Sequence, residues 1–192
     1  GVTFFDNTTG GGGSCIDKFG ENGTLEINKC KFYDNKSNYW ASCVWVGTSR
    51  SDSRNDQCLI TDSVFKGNYG KYTSTVATSS ENCVIKNCLF ENNECDSGGT
   101  VNVSHYGTLE VVDTDITGNI CTSDEEDDST TAGICIDVCG KLVLNGKVNI
   151  TGNTYNNKEN NLIFYPYGIA RFLIVLGEQF DAASKVGLKV RK

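Results

Sequence analysis

The side chains with most to offer a partner are aromatic: Tyr39, Trp40 and Trp45 fall within seven residues of one another. Exposed Trp and Tyr rings stack on sugar faces and anchor protein partners. Val44 and Val46 set an alternation that throws Trp45 outward when both valines point in, close to Tyr39 and Trp40 in the preceding turn. The opposing reading is that a segment of the same chain, such as 47–57, folds over these rings.

Groups that could do acid–base or metal chemistry are sparse. Asp113 and Asp115, in the run DTD, are a carboxylate pair of the kind that cleaves glycosidic bonds. They lack a basic constellation: the four arginines are Arg50, Arg54, Arg171 and Arg191. The reading that fits them better is a pair of solvated turn residues. His105, the single histidine, sits in the turn SHYG without a motif that would make it a base, which reads as a surface residue. The acidic run Asp124 to Asp128 lacks the glycine and alternating spacing of a calcium loop. It reads as a charged insertion, as does the run from Ser49 to Gln57. No catalytic residue, metal or cofactor is expected.

Ten cysteines in a chain of net charge −7 invite a disulfide reading. With one His and no CxxC pair, a zinc site is not indicated. Which cysteines meet depends on the elements that carry them, and those elements repeat.

The run CVIKNCLFENN, Cys83 to Asn93, has an apolar or Cys start, a Phe or Ile seven residues later, and an Asn three after that. The outline returns at Cys58 to Asn68, Leu25 to Asn35, Leu109 to Asn119 and, with one extra residue, Leu142 to Asn153; a truncated copy, GVTFFDN, opens the chain. The pairs are Phe4/Asn7, Phe32/Asn35, Phe65/Asn68, Phe90/Asn93, Ile116/Asn119 and Ile150/Asn153, at intervals of 25 to 34 residues. A period of this size marks a repeat architecture. Between copies lies a second apolar strand, such as SCVWV or GGTVNV, and no run of useful length has helical period.

Strands in this order bury their apolar faces by coiling, each pairing with its equivalent one turn later. That predicts an all-β fold, a single-stranded right-handed parallel β-helix of about six irregular rungs. Rungs would lie about 4.8 Å apart, stacking Phe on Phe. The Asn column has two candidate reasons: tolerance of the left-handed turn conformation, and amide-to-amide hydrogen bonds between rungs. Rungs are assigned to 1–165 and capping strands of the same domain to 166–192.

The alignment sharpens the cysteine reading. Cys95 and Cys121 fall two residues after the recurrent Asn on consecutive rungs, Cys58 and Cys83 share the first motif position, and Cys15 and Cys43 lead the second strand. Cα spacing suits a disulfide, whereas in-register strands hold the Cβ atoms slightly too far apart. Cys95 with Cys121 is the first choice, since a loop can relax. For Cys58 and Cys83 a buried thiol stack stands beside the disulfide. Cys30, Cys88, Cys135 and Cys139 have no assigned partner. Of five N-glycosylation sequons, at Asn7, Asn22, Asn35, Asn102 and Asn149, two fall on ladder positions where a glycan would clash with the coil.

F-x-x-N followed by a Gly-Gly-hydrophobic strand, as in Phe90 to Asn93 and then Gly98-Gly99-Thr100-Val101, resembles the repeats of polymorphic-membrane-protein-like and adhesin-like surface proteins with a pectin-lyase-like right-handed β-helix. The resemblance covers most of 1–165. It implies an extracellular or cell-surface region of a larger adhesin-like protein, binding a host or neighbouring-cell protein or glycan without catalysis. The alternatives are a polysaccharide-active lyase, hydrolase or depolymerase, and a structural spacer. Against an enzyme, the rung after Asp115 carries Asn149 at the matching place. A sequence pI near 4.7 argues against nucleic acid. The apolar stretch 169–176 is interrupted by Arg171 and too short to span a bilayer, so no direct membrane insertion is expected. The absence of Met and of an apolar leader fits a segment of a longer chain.

Overall fold

The computed structural model describes residues 1–19, 23–47, 57–79, 82–104, 107–123, 130–137, 140–165 and 173–188. Asn22, the run 49–56, His105, the acidic run 124–128, Cys139, Arg171 and Arg191 lie outside the described residues.

Among the described residues all regular structure is strand, arranged as four sheets of six or seven strands. Sheet I stacks Thr3–Phe5, Lys31–Tyr33, Val64–Lys66, Leu89–Glu91, Asp115–Thr117, Asn149–Thr151 and Lys185–Val186. Sheet II stacks the two-residue strands that follow the ladder asparagines, from Thr8–Thr9 to Thr154–Tyr155, and closes with Lys158–Glu159. Sheet III holds Ile16–Phe19, Val44–Gly47, Thr73–Thr78, Gly99–Val103, Ile134–Asp137 and Leu162–Tyr165. Sheet IV holds Thr24–Asn28, Gln57–Thr61, Asn82–Lys86, Thr108–Val112, Lys141–Asn145 and Leu173–Leu176. The chain visits the sheets in a fixed cycle and every strand pairs in parallel with its equivalent in the next turn, apart from the closing antiparallel pair in sheet II. This is the expected parallel β-helix. Leu173–Leu176 and Lys185–Val186, within 166–192, extend sheets IV and I by one strand each.

Strand alternation explains the core. In sheet III, Val44, Val76, Val101, Ile134 and Leu162 form one inward column; in sheet IV, Ile27, Ile60, Ile85, Val111 and Leu144 form another. Phe4, Phe32, Phe65 and Phe90 stack nearly parallel in sheet I, with centroids 4.8, 4.6 and 4.5 Å apart, and Ile116, Ile150 and Val186 continue the column. Each fully buried Phe contributes about 2–3 kcal/mol of burial free energy.

The asparagine ladder has one of its two expected reasons. In each rung the ladder Asn donates its backbone N–H and its Nδ2 to the Oδ1 of the next, from Asn7 through Asn35, Asn68, Asn93 and Asn119 to Asn153. Nδ2 also donates to the carbonyl of the Phe or Ile one rung back, as from Asn93 to Phe65 at 3.0 Å. The left-handed conformation belongs instead to the residue before each ladder Asn: Asp6, Asp34, Gly67, Asn92, Gly118 and Gly152 all have φ between 54° and 68°. Turning the chain one residue early aims the Asn side chain along the coil axis.

Candidate functional site

The turns that lead from sheet II into sheet III carry the aromatic residues. Gly70 pairs with Ser37, and Val76 pairs with Val44. Five residues lie between Gly70 and Val76 and six between Ser37 and Val44, so Tyr72 falls against both Tyr39 and Trp40. Its backbone N–H donates to the Tyr39 carbonyl at 3.0 Å. The three rings form a cluster: Tyr39 meets Trp40 edge-on at 5.9 Å and Tyr72 edge-on at 5.3 Å, and Trp40 meets Tyr72 at 5.2 Å with a 45° tilt. Edge-to-face contacts at these distances are the favoured ring geometry. Tyr39 stays 47% exposed, and Trp40 and Tyr72 are half-buried. Lys71 Nζ lies 5.6 Å from the Tyr72 ring centroid, so one cation already caps the cluster.

Trp45 does point outward, between the fully buried Val44 and Val46, but its ring contact is Phe19 at 6.2 Å. The expected grouping with Tyr39 and Trp40 is corrected: alternation sends Trp45 to the outer face of sheet III, where it lies over Gly12 closely enough that a Cβ there would come within 2.9 Å of the indole. The platform is Tyr39, Trp40 and Tyr72. Tyr72 was missed because it lacks a cluster of its own in the sequence; aligning the Val44 and Val76 strands would have exposed it.

Below the platform, Trp40 and Tyr72 wall a cavity of about 170 Å³ on the outer face of sheet III. Among the described residues, the rest of its lining is Ser97 and Gly98 from the next turn, Asn102 and Cys135 from neighbouring strands, and Asp137. Asn102 is in register with Ala77 on one side and Cys135 on the other. The buried Ala77 stands in register with Trp45 one rung earlier. Gly98 has φ +81°, and a Cβ on it would meet the Tyr72 carbonyl oxygen at 1.9 Å. The Gly-Gly signature of this rung is therefore the condition for the turn bearing Ser97 to close against Tyr72.

The adjoining turn is fixed by Tyr69, whose hydroxyl donates to Asp96 at 3.0 Å. Burial and that contact push the Tyr69 phenol up to about 12. Lys36 Nζ stands 5.1 Å from the Tyr69 ring.

The carboxylates of the DTD run are engaged in the coil. Asp113 occupies a left-handed turn with φ 46°, and its Oδ1 accepts the Lys147 N–H at 2.9 Å. Asp115 Oδ1 accepts Nδ2 of Asn149, and its other register partner is Leu89. The two positions flanking Asp115 in its column thus carry no carboxylate.

The cysteine alignment is realised as register. Cys58 pairs with Cys83 and Cys95 with Cys121, while Ile16 N–H on the Cys43 carbonyl sets Cys15 beside Cys43. All six are free thiols in this structure. In-register parallel strands hold Cβ atoms about 4.8 Å apart, beyond the ~3.5–4.5 Å of a disulfide. Burial and the facing thiol push Cys43 well up; the hydrogen bond with Cys58 and then burial do so for Cys83, and Cys121 does so for Cys95. The half-buried Cys15 is lowered by its hydrogen bond with Cys43. Cys30 and Cys88 occupy one corner column but are separated by Ser63, whose hydroxyl accepts the Cys30 N–H at 3.1 Å, and Thr114 follows Cys88 in the same way. Neither has a thiol on the adjacent rung of that column.

The sequons sort themselves. Asn35 is fully buried and Nδ2 of Asn7 is committed to the ladder, Nδ2 of Asn149 holds Asp115, and Asn102 lines the cavity. Comparison of the chain with family models, with curated proteins and with solved structures finds no match in any of the three.

Proposed function

We propose that this chain is a non-catalytic binding rod of a secreted or cell-surface protein, presenting a lateral aromatic patch to a protein or glycan on a host or neighbouring cell. One observation carries the reading: Tyr39, Trp40 and Tyr72, from two consecutive rungs, form a partly exposed cluster on the turns between sheets II and III. A solenoid with its repeat-defining side chains turned inward leaves its outer turns available for recognition. Large aromatic rings held by backbone pairing cost little entropy when a partner seats on them.

An extracellular location belongs to the same reading. Three thiol pairs on adjacent rungs suit an oxidising compartment, where a shift of the two-residue strands of sheet II, enough to bring the Cβ atoms closer, would let Cys95 join Cys121 first. Peptide mapping of the secreted chain without reductant tests this: Cys95–Cys121 as a cross-linked peptide supports it, and fully alkylated free thiols count against it.

The binding test is attachment of the fluorescently labelled chain to a panel of cultured cells, comparing wild type with Trp40→Ala and Tyr72→Ala. Each variant is expected to lose attachment by about tenfold or more, as for a hot-spot aromatic. Equal attachment by variants that keep the wild-type circular dichroism spectrum would remove the aromatic patch from the function.

A further inference from the structure

We infer that the cavity beneath the aromatic cluster is a subsite for one uncharged hexopyranose ring of a glycan, stacked on Trp40 and Tyr72 and held at its hydroxyls by Asn102 and Asp137. The inference rests on the binding-rod reading and names its ligand class.

Size comes first. At about 170 Å³ the cavity is well below the ~300–1,000 Å³ that encloses a drug-sized ligand, so it suits one small ring. A longer occupant would have to run out over the neighbouring turns. The lining comes second. The Trp40 and Tyr72 rings are tilted 45° to one another with centroids 5.2 Å apart, and both border the cavity. A pyranose has a matching division of surface, with C–H faces that lie against rings and equatorial hydroxyls that point sideways.

The polar groups are planar and complementary. Asn102 supplies both a donor and an acceptor, which suits a hydroxyl that does either, and the Asp137 carboxylate accepts from hydroxyls. Ser97 adds a hydroxyl at the rim. A largely apolar pocket with two or three placed polar groups is the usual form of a small-molecule site.

Charge excludes acidic sugars. Among the described residues Asp137 is the one charged side chain in the cavity lining, and a uronate placed beside it would bring a second carboxylate into a partly dehydrated space. The same argument disfavours phosphate. The cavity also has a built support: Gly98 seats the Ser97 turn directly on the Tyr72 backbone, and register fixes Asn102 beside Cys135.

The test is a titration of the whole chain carrying Trp45→Phe, which leaves Trp40 as the sole tryptophan reporter. The probes are methyl glucoside, methyl galactoside, N-acetylglucosamine and glucuronate, read by tryptophan fluorescence and by saturation-transfer NMR. At least one neutral pyranose is expected to bind with Kd on the order of 1 mM, glucuronate about tenfold more weakly, and Tyr72→Ala to weaken the neutral sugar about tenfold. Asp137→Asn is expected to narrow the gap between neutral and acidic sugar. Tyr72→Phe, which keeps the ring, is expected to keep most of the affinity.

Absence of saturation with every neutral probe, preference for glucuronate, or indifference to Tyr72→Ala would each overturn the subsite. Loss of cell attachment in Trp40→Ala without any sugar binding would overturn the pyranose inference and leave the binding rod standing. Sugar binding with unchanged cell attachment would support the subsite and overturn the rod's proposed surface role.

Discussion

Asn119 Oδ1 accepts two hydrogen bonds from Asn93, from its backbone N–H and from its Nδ2, each at 2.9 Å. One oxygen thereby satisfies a backbone donor at a corner where no strand ladder can reach it, and the unit repeats along the coil. Asn93 does the same for Asn68 and is itself fully buried. Single side chains in this column hold two neighbouring rungs together.

Asn93→Ala should destabilise the chain by about 3 kcal/mol or more, because it strands the buried Asn68 N–H, takes one of two partners from Asn68 Nδ2 and from Asn119 Oδ1, and removes the side-chain donor to the Phe65 carbonyl. Asn7→Ala, at the half-buried first rung, removes only the Nδ2 donor while the backbone N–H still reaches Asn35, and should cost about 1 kcal/mol or less. Urea unfolding of both variants checks the contrast; equal losses would mean that the ladder does not work by pairwise satisfaction.

Gly98→Ala should disturb the aromatic site as well as the coil. The new Cβ would meet the Tyr72 carbonyl oxygen in a left-handed backbone region, so the turn bearing Ser97 must shift away from Tyr72. A loss of about 2 kcal/mol is expected, with a changed near-ultraviolet circular dichroism signal from the tyrosine and tryptophan cluster. An unchanged aromatic spectrum would show that the turn absorbs the methyl elsewhere.

The reduced chain should weaken in alkali. Cys88 is pushed up to about 11 from 9.0, chiefly by burial, and Cys43, Cys83 and Cys95 are raised as well. The folded chain keeps protons that the unfolded chain releases above pH 9, so this stability is complete below pH 9 and disappears as pH climbs through 11. Cys88 alone accounts for roughly 2 kcal/mol over that window. Cys15, lowered by its contact with Cys43, acts in the opposite direction and offsets part of the loss. Thermal unfolding at pH 7, 9 and 11 with reductant should give falling midpoints, with Cys88→Val flattening the decline.

Lys29→Gly should stabilise. Lys29 has φ +54° at a corner where equivalent rungs use Asp62, Asn87, Asp113 and Gly146, all with positive φ. Relief of the left-handed strain is worth about 1 kcal/mol, less the extra freedom of glycine in the unfolded chain, for a net gain of about 0.5 kcal/mol. A thermal midpoint at or below that of wild type would show that the lysine stem contributes contacts that outweigh the strain.

The coil itself was legible in the chain because its interior is periodic. Each rung meets nearly the same neighbour above and below, so the spacing from Phe65 to Asn68 had to recur as Phe90 to Asn93, and the register follows from that recurrence. Facing positions for Cys95 and Cys121 followed for the same reason. What lies on the outside is under no such constraint. Tyr72 reaches Tyr39 and Trp40 through turns of unequal length, and Trp45 leaves them for Phe19. Asn161, outside any F-x-x-N copy, ends the amide ladder by accepting from Asn153, because the closing strand turns back antiparallel and brings it within reach. Local spacing determined which side chains stack inside; only the folded coil decided which residues, some 25 to 35 positions apart, meet on its surface, because turn length and direction there carry no repeat.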